Sequence, residues 1–321
     1  MTLRQFEVFL AVAGEKSFSR AAKKIHSSQP TVSEHVSELE HDLGKKLFFR
    51  RGREVTLTEA GRVFEQYAAR AVAAVDGARQ AIMDLDGLAH GSVLVGAGTT
   101  PGLYVMPRII AAFRARYPGV DLKLQIANSQ IIEERVKECA LDLGIVGGHT
   151  VGRGEECLAA GLLDELVLVV PPGHRWAKRR EIAPDQLANE PMLTREPGSA
   201  TRTVTERALQ RAGVKFRAAM ELDHTEAIKQ GVMAGLGVAL VSIYAVQGEI
   251  DTRRLRALRL RGMRIQRHFH VIHHEARGVT ASARAFMEFI EQAARGPGTA
   301  GRRNEWSIYR SAGLAALHVQ S

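Results

Sequence analysis

Several kinds of residue pattern are scarce or missing in this 321-residue chain, and each absence removes a class of function. There are only two cysteines, Cys139 and Cys157, too few for a disulfide framework, so both are read as buried, reduced thiols. No run of about 18 apolar residues occurs, so no membrane span is expected. The N-terminus passes straight into an amphipathic pattern with no charged leader before an apolar stretch, so no secretory signal is read and a cytoplasmic location is expected. No Ser/His/Asp or Cys/His arrangement has the context of a nucleophile, so neither enzyme chemistry nor a cofactor is expected. Gly96-x-Gly98 has Pro101 where a dinucleotide fingerprint needs its third glycine. His268, His270, His273 and His274 are dense but lack a cysteine or carboxylate at useful spacing, so no metal site is assigned. Acids are missing altogether from Arg253 to Arg267, a stretch with seven arginines, which is read as a solvated surface.

What is present is ample core material, with 45% hydrophobic and 25% charged residues in a length that suits two or three domains. The formal net charge is +9, yet residues 1–58 hold 10 Lys/Arg against 7 Asp/Glu. Placement therefore matters more than total charge. Ser17 to Arg51 reads as two helices around a polar corner, His26-Ser27-Ser28-Gln29. Ser17 or Ser19 can cap the first helix, and Ala21, Ala22 and Ile25 build it. Pro30 follows in the first turn of the second, where its missing N–H costs nothing. Val32, Val36, Leu39 and Leu43 recur at helical spacing, so one face is buried. Ser27, Ser28, Gln29, Pro30, Thr31, Ser33, Glu34 and Ser37 lie at the start and on the open face, where a recognition helix meets base edges in the major groove. Arg50, Arg51 and Arg53 form a basic turn between two short strands, with Lys23 and Lys24 nearby, all suited to phosphates. An ordinary solvated hairpin is the competing reading of that turn.

The stretch AAKKIHSSQPTVSEHVSELEHDLGKKLFFRRGREVTLTEAG resembles the winged helix-turn-helix of the LysR-type transcriptional regulators, and the match runs from Leu3 to about Gly61. The resemblance implies α/β architecture in three parts. An N-terminal winged helix-turn-helix, helical but for its wing, covers 1–58 and a dimerising linker helix covers 59–89. A two-lobed effector domain like that of periplasmic binding proteins covers 90–295. REPGSATR and HTEAIKQGVMAGLGVALVS resemble the branch that regulates sulfur, selenium or carbon assimilation, which implies a small anionic effector.

The residues independently support each part. Thr58 can cap a helix running to about Leu88, with Ala60, Phe64, Tyr67, Ala71, Val75, Ala78, Ile82 and Leu85 forming a heptad-like seam. At 1.5 Å per residue the helix is on the order of 40 Å long, too long to serve the small domain alone, so it is read as the dimer seam. From Ser92 onward strands alternate with helices, including one helix from Thr99 to Tyr117 and a strand at Leu166–Val170. This implies parallel sheets with right-handed crossovers. Chain crossings near Asp164–Glu165 and Arg267–Phe269 divide it into lobe I (about 91–164 and 269–295) and lobe II (about 165–268). The tail, 296–321, is Gly-rich at its start, lacks periodicity and is expected to be disordered.

Ligands of such sheets sit beyond the strand ends where helices begin, and helix starts favour anions. Thr99, Thr100, Ser129, Ser199, Thr201 and Thr225 open helices with hydroxyls. Gly147 ends a strand at the same edge, and Arg202 can add a charge-assisted contact. Ordinary N-capping is the plain alternative for each hydroxyl. The function expected is a regulator that binds double-stranded promoter DNA, pairs with itself as a dimer or tetramer, and responds to a small oxyanion between the lobes. A solute-binding protein or a ligand-binding enzyme of the same fold is the alternative.

Overall fold

The computed structural model describes residues 1–51, 54–83, 91–148 and 155–295. The chain opens with helices α1 (Leu3–Glu15), α2 (Phe18–Lys24) and α3 (Gln29–Leu43) and an antiparallel hairpin of β1 (Phe48–Arg51) and β2 (Glu54–Leu57). Ser17 caps α2 by accepting from the Arg20 N–H at 3.3 Å, whereas Ser19 donates to Gln29 Oε1 at 2.8 Å. Ser28 caps α3, Pro30 stands in its first turn, and Gly44 ends it at φ 62°, a left-handed position that suits glycine. Val8, Phe9, Val12, Ala21, Ala22, Val32, Val36 and Leu39 close one core with Leu47 and Phe48 of the hairpin.

One member of that interface is a carboxylate. Glu40 is buried, and its oxygens accept from the Leu47 N–H at 2.9 Å, the Phe48 N–H at 3.3 Å and Lys46 Nζ at 2.7 Å. It thereby fixes the wing's starting angle relative to α3. Replacing it strands two buried N–H donors, each worth roughly 1–3 kcal/mol when unsatisfied. Glu40→Ala should lower the stability of this domain by about 2–3 kcal/mol in a urea melt. An unchanged midpoint would remove Glu40 from the account.

α4 (Glu59–Met83) starts at Thr58, whose hydroxyl accepts from the Gly61 N–H at 2.9 Å. The expected single seam splits in two. Ala60 and Phe64 turn into the helix-turn-helix core, with Phe64 edge-on to Phe6 at 5.3 Å and to Phe9 at 5.0 Å. α1 covers that face, so the face left open carries Val63, Tyr67, Val75 and Ile82 instead. Leu85 and Leu88 lie outside the described residues.

The second half is built on β3 (Gly91–Gly98), α5 (Thr99–Tyr104), α6 (Met106–Arg116), β4 (Val120–Ala127), α7 (Ser129–Lys137) and β5 (Leu143–Gly147). It continues with β6 (Glu155–Val170), β7 (Glu181–Ile182), β8 (Pro191–Arg195), α8 (Ala200–Arg211), β9 (Arg217–Leu222), α9 (Thr225–Met233) and β10 (Ala239–Ser242). α10 (Ile243–Asp251), β11 (Arg256–Leu260), β12 (Ile265–His274) and α11 (Ala281–Arg295) complete it. The single helix expected over Thr99–Tyr117 is two, broken at Val105, because Pro107 in the first turn of α6 lacks the N–H that would continue α5. Leu166–Val170 proves to be the end of a 16-residue strand.

That long strand changes the topology from the parallel expectation. β3 pairs parallel with β4 and β5, but β12 runs antiparallel to both β5 and β6, and β6 is antiparallel to β10 and β11. The sheet, ordered β4-β3-β5-β12-β6-β11-β7, is mixed because β6 and β12 pass between the lobes in opposite directions. Lobe I has its core around Val93, Ile109, Phe113, Phe269 and Phe286. Lobe II packs Leu168, Trp176, Leu187, Leu209 and Leu258 on one face, with Val169, Ile228, Val232 and Val241 on the other. At the crossing, Asp164 and Arg267 are direct cross-strand partners.

Candidate functional site

The cleft between the lobes is made by strand ends and the helix starts that follow them. Its wall comprises Gly98, Thr99, Thr100 and Pro101 after β3, Asn128 and Ser129 after β4, and Gly147 ending β5; Arg195 ends β8, Ser199, Ala200 and Thr201 lead into α8, and Arg267 reaches in from β12. The space between them that admits the centre of a water-sized sphere is about 10 Å³, within about 220 Å³ of unfilled volume that runs out into solvent. Of the eight expected effector residues, Thr99, Thr100, Ser129, Gly147, Ser199 and Thr201 meet here.

The two arginines were not singled out from sequence, and they dominate the chemistry. Arg267 is 5% exposed; it donates from Nε to Asp164 Oδ2 at 2.8 Å, from Nη1 to Thr201 at 3.0 Å and from Nη2 to Thr100 at 3.2 Å. A guanidinium has five N–H donors, and among the described residues three acceptors meet that of Arg267. Thr100 and Thr201 accept from Arg267, and a hydroxyl that accepts can still donate in another direction. Gly147 makes this possible, because a Cβ there would stand 3.1–3.2 Å from the Arg267 side chain. Arg195, also 5% exposed, donates to Thr225 at 2.7 Å, to Thr99 at 3.3 Å and to the Asp223 carbonyl at 3.2 Å. It also pairs through two bonds with Glu196, at 2.7 and 2.9 Å.

The plain capping reading of the hydroxyls fails for the helix starts at this edge. Gly98 precedes α5, Asn128 caps α7 with its side chain, and His224 caps α9. Ser199 stands at the cap of α8 but makes no side-chain cap bond. Thr99 and Thr225 are held by Arg195, and Thr100 and Thr201 by Arg267; Thr99 also donates to the Ala127 carbonyl at 3.3 Å, and Ser129 and Ser199 line the cleft.

Two expectations need correction. Arg202 is not in the cleft wall: it donates to Glu206 at 2.8 Å, to Glu221, and to the Arg195 carbonyl at 3.0 Å. In the first turn of α8, its side chain turns to Glu206 on the same helix and Glu221 on β9, which hold its charge. Thr225 supports the site at one remove, by holding Arg195. The stretch Arg253–Arg267 is also not uniformly solvated, since Arg267 is the buried cleft cation and Arg259 pairs with Glu165 at 3.3 Å.

The lobes are tied on both sides of the cleft. The Gln130 N–H donates to the Gly198 carbonyl at 3.2 Å, and the Tyr104 hydroxyl donates to Glu226 at 3.1 Å. Burial pushes the Tyr104 phenol up to about 12, so it stays a donor. Asp164 is fully buried, and burial raises its carboxyl against the opposing pull of Arg267 and the Ser242 hydrogen bond.

At the other end of the molecule, α3 presents Gln29, Pro30, Glu34 and Ser37 exposed, with Ser33 half-buried on the same side. Ser28 and Thr31 are committed to each other, hydroxyl to hydroxyl at 2.8 Å, as part of the cap. Ser27 is half-buried in the corner. Gln29 accepts from Ser19 with its carbonyl oxygen, and among the described residues its amide N–H₂ meets no acceptor. Arg50 is exposed, its guanidinium 4.0 Å above the Phe18 ring, and Arg51 lies on β1. Arg53 lies outside the described residues.

A helix-turn-helix exposing an amide and hydroxyls, followed by a two-lobed α/β half with a lined cleft, matches known families over nearly the whole chain. Residues 3–62 match the bacterial regulatory helix-turn-helix protein of the lysR family, and residues 86–295 match the LysR substrate binding domain. The chain belongs to the LysR family. This LysR protein is 35% identical over 297 residues to a RuBisCO operon transcriptional regulator of Allochromatium vinosum, covering 92% of this chain and 97% of that one. Full-length OxyR from Pseudomonas aeruginosa superposes with a TM-score of 0.71 at 22% identity, over 92% of this chain and 95% of the other. The regulatory domain of Synechocystis CcmR in complex with 2-PG superposes with a TM-score of 0.60 at 25% identity, over 64% of this chain and 98% of that one. The LysR protein is thus a DNA-binding transcriptional regulator whose C-terminal half is a small-molecule-binding domain.

Among the described residues of this LysR regulator no group of three or more His, Cys, Asp or Glu could hold a metal ion, and no helix is long and apolar enough to cross a membrane. Cys139 is a free, buried thiol whose burial raises its pKa. The side chain of Cys157 lies outside the described residues. The signal that could have found Arg267 was the crossing itself: an arginine opposite an aspartate on the two strands that change lobe.

Proposed function

We propose that the regulator reads promoter DNA as a two-fold pair and that a small oxyanion in the cleft adjusts that pairing. Support for the effector class comes from one observation above all: two buried guanidiniums, on β8 and β12, hold hydroxyls from both lobes around a common space. Such donors favour oxygen-rich anions and leave an apolar ligand nothing to bury. An anion drawing on Thr99, Thr100 and Ser129 from lobe I, on Arg195, Ser199 and Thr201 from lobe II and on Arg267 at the crossing favours the closed lobes, which is the differential affinity a switch requires.

For DNA, the assigned readers are Gln29, Ser33, Glu34 and Ser37, with Ser27, Ser28, Pro30 and Thr31 shaping the approach and Arg50, Arg51 and Arg53 meeting phosphates. The exposed Val63–Ile82 face of α4 supports pairing of two copies, since a two-fold half-site arrangement calls for a two-fold protein. The division proposed is 1–58 for DNA, 59–89 for pairing and 90–295 for the effector. The setting is cytoplasmic and the role regulatory, without catalysis. The likeness to a RuBisCO operon regulator supports carbon-assimilation genes as targets, and the likeness to the CcmR regulatory domain in complex with 2-PG supports 2-PG as one effector to try.

A thermal-shift screen of sulfate, phosphate and 2-phosphoglycolate tests the effector class. At least one should raise Tm, by roughly 2–4 °C for each kcal/mol of ligand stabilisation in a domain of this size. Thr100→Val, which removes one hydroxyl held by Arg267, should abolish most of that shift. A response confined to aromatic or large organic compounds would contradict the oxyanion assignment.

A further inference from the structure

The cleft is not a simple positive pocket. Its two guanidiniums are matched by two carboxylates, Asp164 on Arg267 and Glu196 on Arg195. The carboxylates differ in how they are held. Asp164 is 0% exposed, lies on the crossing strand, and accepts from both Ser242 at 2.6 Å and Arg267 at 2.8 Å. It cannot leave without opening the sheet. Glu196 lies just beyond the end of β8, retains 15% side-chain exposure, and among the described residues its carboxylate bonds only Arg195. Pro197 and Gly198 follow, with Gly198 at φ 86°, so the segment turns sharply away. Arg195 is secured without Glu196, by Thr225, Thr99 and the Asp223 carbonyl.

We infer that Glu196 is a built-in competitor for the effector: its carboxylate occupies the fork of Arg195 that an oxyanion would take, and binding exchanges one for the other. The inference rests on the oxyanion reading of the cleft and adds what sets its affinity and selectivity. A fork-to-fork pair with a carboxylate is the geometry a phosphate or sulfate makes with arginine. Exchange therefore swaps like for like, and the carboxylate swings to water along the exposed side of its loop. A monoanion replaces Glu196 with no gain in charge, whereas a dianion gains one negative charge beside two guanidiniums. Glu196 thus acts as a threshold that dianions pass and simple carboxylates do not. It also joins the threshold to the lobe contact, because Gly198, two residues on, carries the carbonyl that accepts from Gln130.

The test is calorimetric titration of the full-length protein with sodium sulfate and with sodium acetate at fixed ionic strength. Glu196→Gln keeps the side chain's size and removes its charge; it should tighten sulfate binding roughly tenfold or more, the order of one charge-assisted contact, and bring acetate binding into range. Glu196→Asp, one methylene shorter and unable to reach both guanidinium nitrogens, should fall between. Arg195→Gln should remove sulfate binding with either residue at 196. If Arg195→Gln removes sulfate binding but Glu196→Gln binds no tighter than the parent, the competitor role is overturned and the oxyanion cleft stands. If neither the parent nor Glu196→Gln binds sulfate, both fall. A crystal of the parent protein soaked in sulfate gives an independent readout. Glu196 should be swung off Arg195, and sulfate bound with the Glu196–Arg195 pair intact would overturn the inference.

Discussion

Arg267→Met should destabilise the effector half by about 3–5 kcal/mol, the cost typical of breaking a buried ion pair by removing one partner. Asp164 is 0% exposed and would be left with the Ser242 hydroxyl alone. The loss should depend on pH with a definite sign. Burial already raises the Asp164 carboxyl, and without the cation it rises further, so the folded variant binds a proton more readily than its unfolded chain. Stability is then retained below the ordinary aspartate range and lost as pH rises through the raised folded value. Urea melts should show the variant's deficit growing from pH 5 to pH 8. The double variant Arg267→Met with Asp164→Leu should recover most of the stability while staying blind to oxyanions, because a buried pair contributes more to geometry than to net stability. A single variant as stable as the parent at pH 8 would mean that the pair does not hold the crossing.

The second large effect belongs to the DNA-reading helix. Gln29→Ala with Ser33→Ala should weaken binding to the specific site by roughly 10² or more, since one good side-chain–base contact is worth about 1–3 kcal/mol. Non-specific binding and folding should hardly change, because both residues lie off the core that Val32, Val36 and Leu39 form. Competition titrations on a fluorescent promoter fragment against random DNA separate the two affinities. Equal losses on both would assign these residues to backbone positioning and leave base reading to Glu34 or Ser37.

The helix-turn-helix was legible because its signals are local. Ser17 and Pro30 act within a few residues of themselves, and the Val32–Leu43 spacing is the helix's own period. The long helix was legible in extent but not in orientation. Ala60, Phe64 and Tyr67 share one periodic pattern, and only the packing of Phe64 on Phe6 and Phe9 shows that the first two face inward while Tyr67 stays open. The hydroxyls of the cleft announced themselves at helix starts, but its arginines did not. Arg267 stood among six other arginines with nothing in its neighbourhood to mark it, and Asp164, its partner, is 103 residues away in the chain. Arg202 offers itself in the sequence as a charge-assisted contact beside Ser199 and Thr201. In the structure β8 ends with Arg195 pointing into the cleft, and α8 turns Arg202 outward. Glu40 escaped notice for a related reason, as a buried acid on an amphipathic helix looks like any surface acid until the hairpin folds back onto it.

The central claim is that a reader on α3 and an oxyanion site on β8 and β12 belong to one switch. DNase I footprinting of the full-length protein on the DNA upstream of its own gene, with and without the oxyanion that raises its Tm, tests this most directly. The expected result is a protected pair of half-sites whose length or spacing changes when the anion is added, with the change absent in Thr100→Val. Protection that is identical with and without the anion, at concentrations that saturate the cleft, would contradict it.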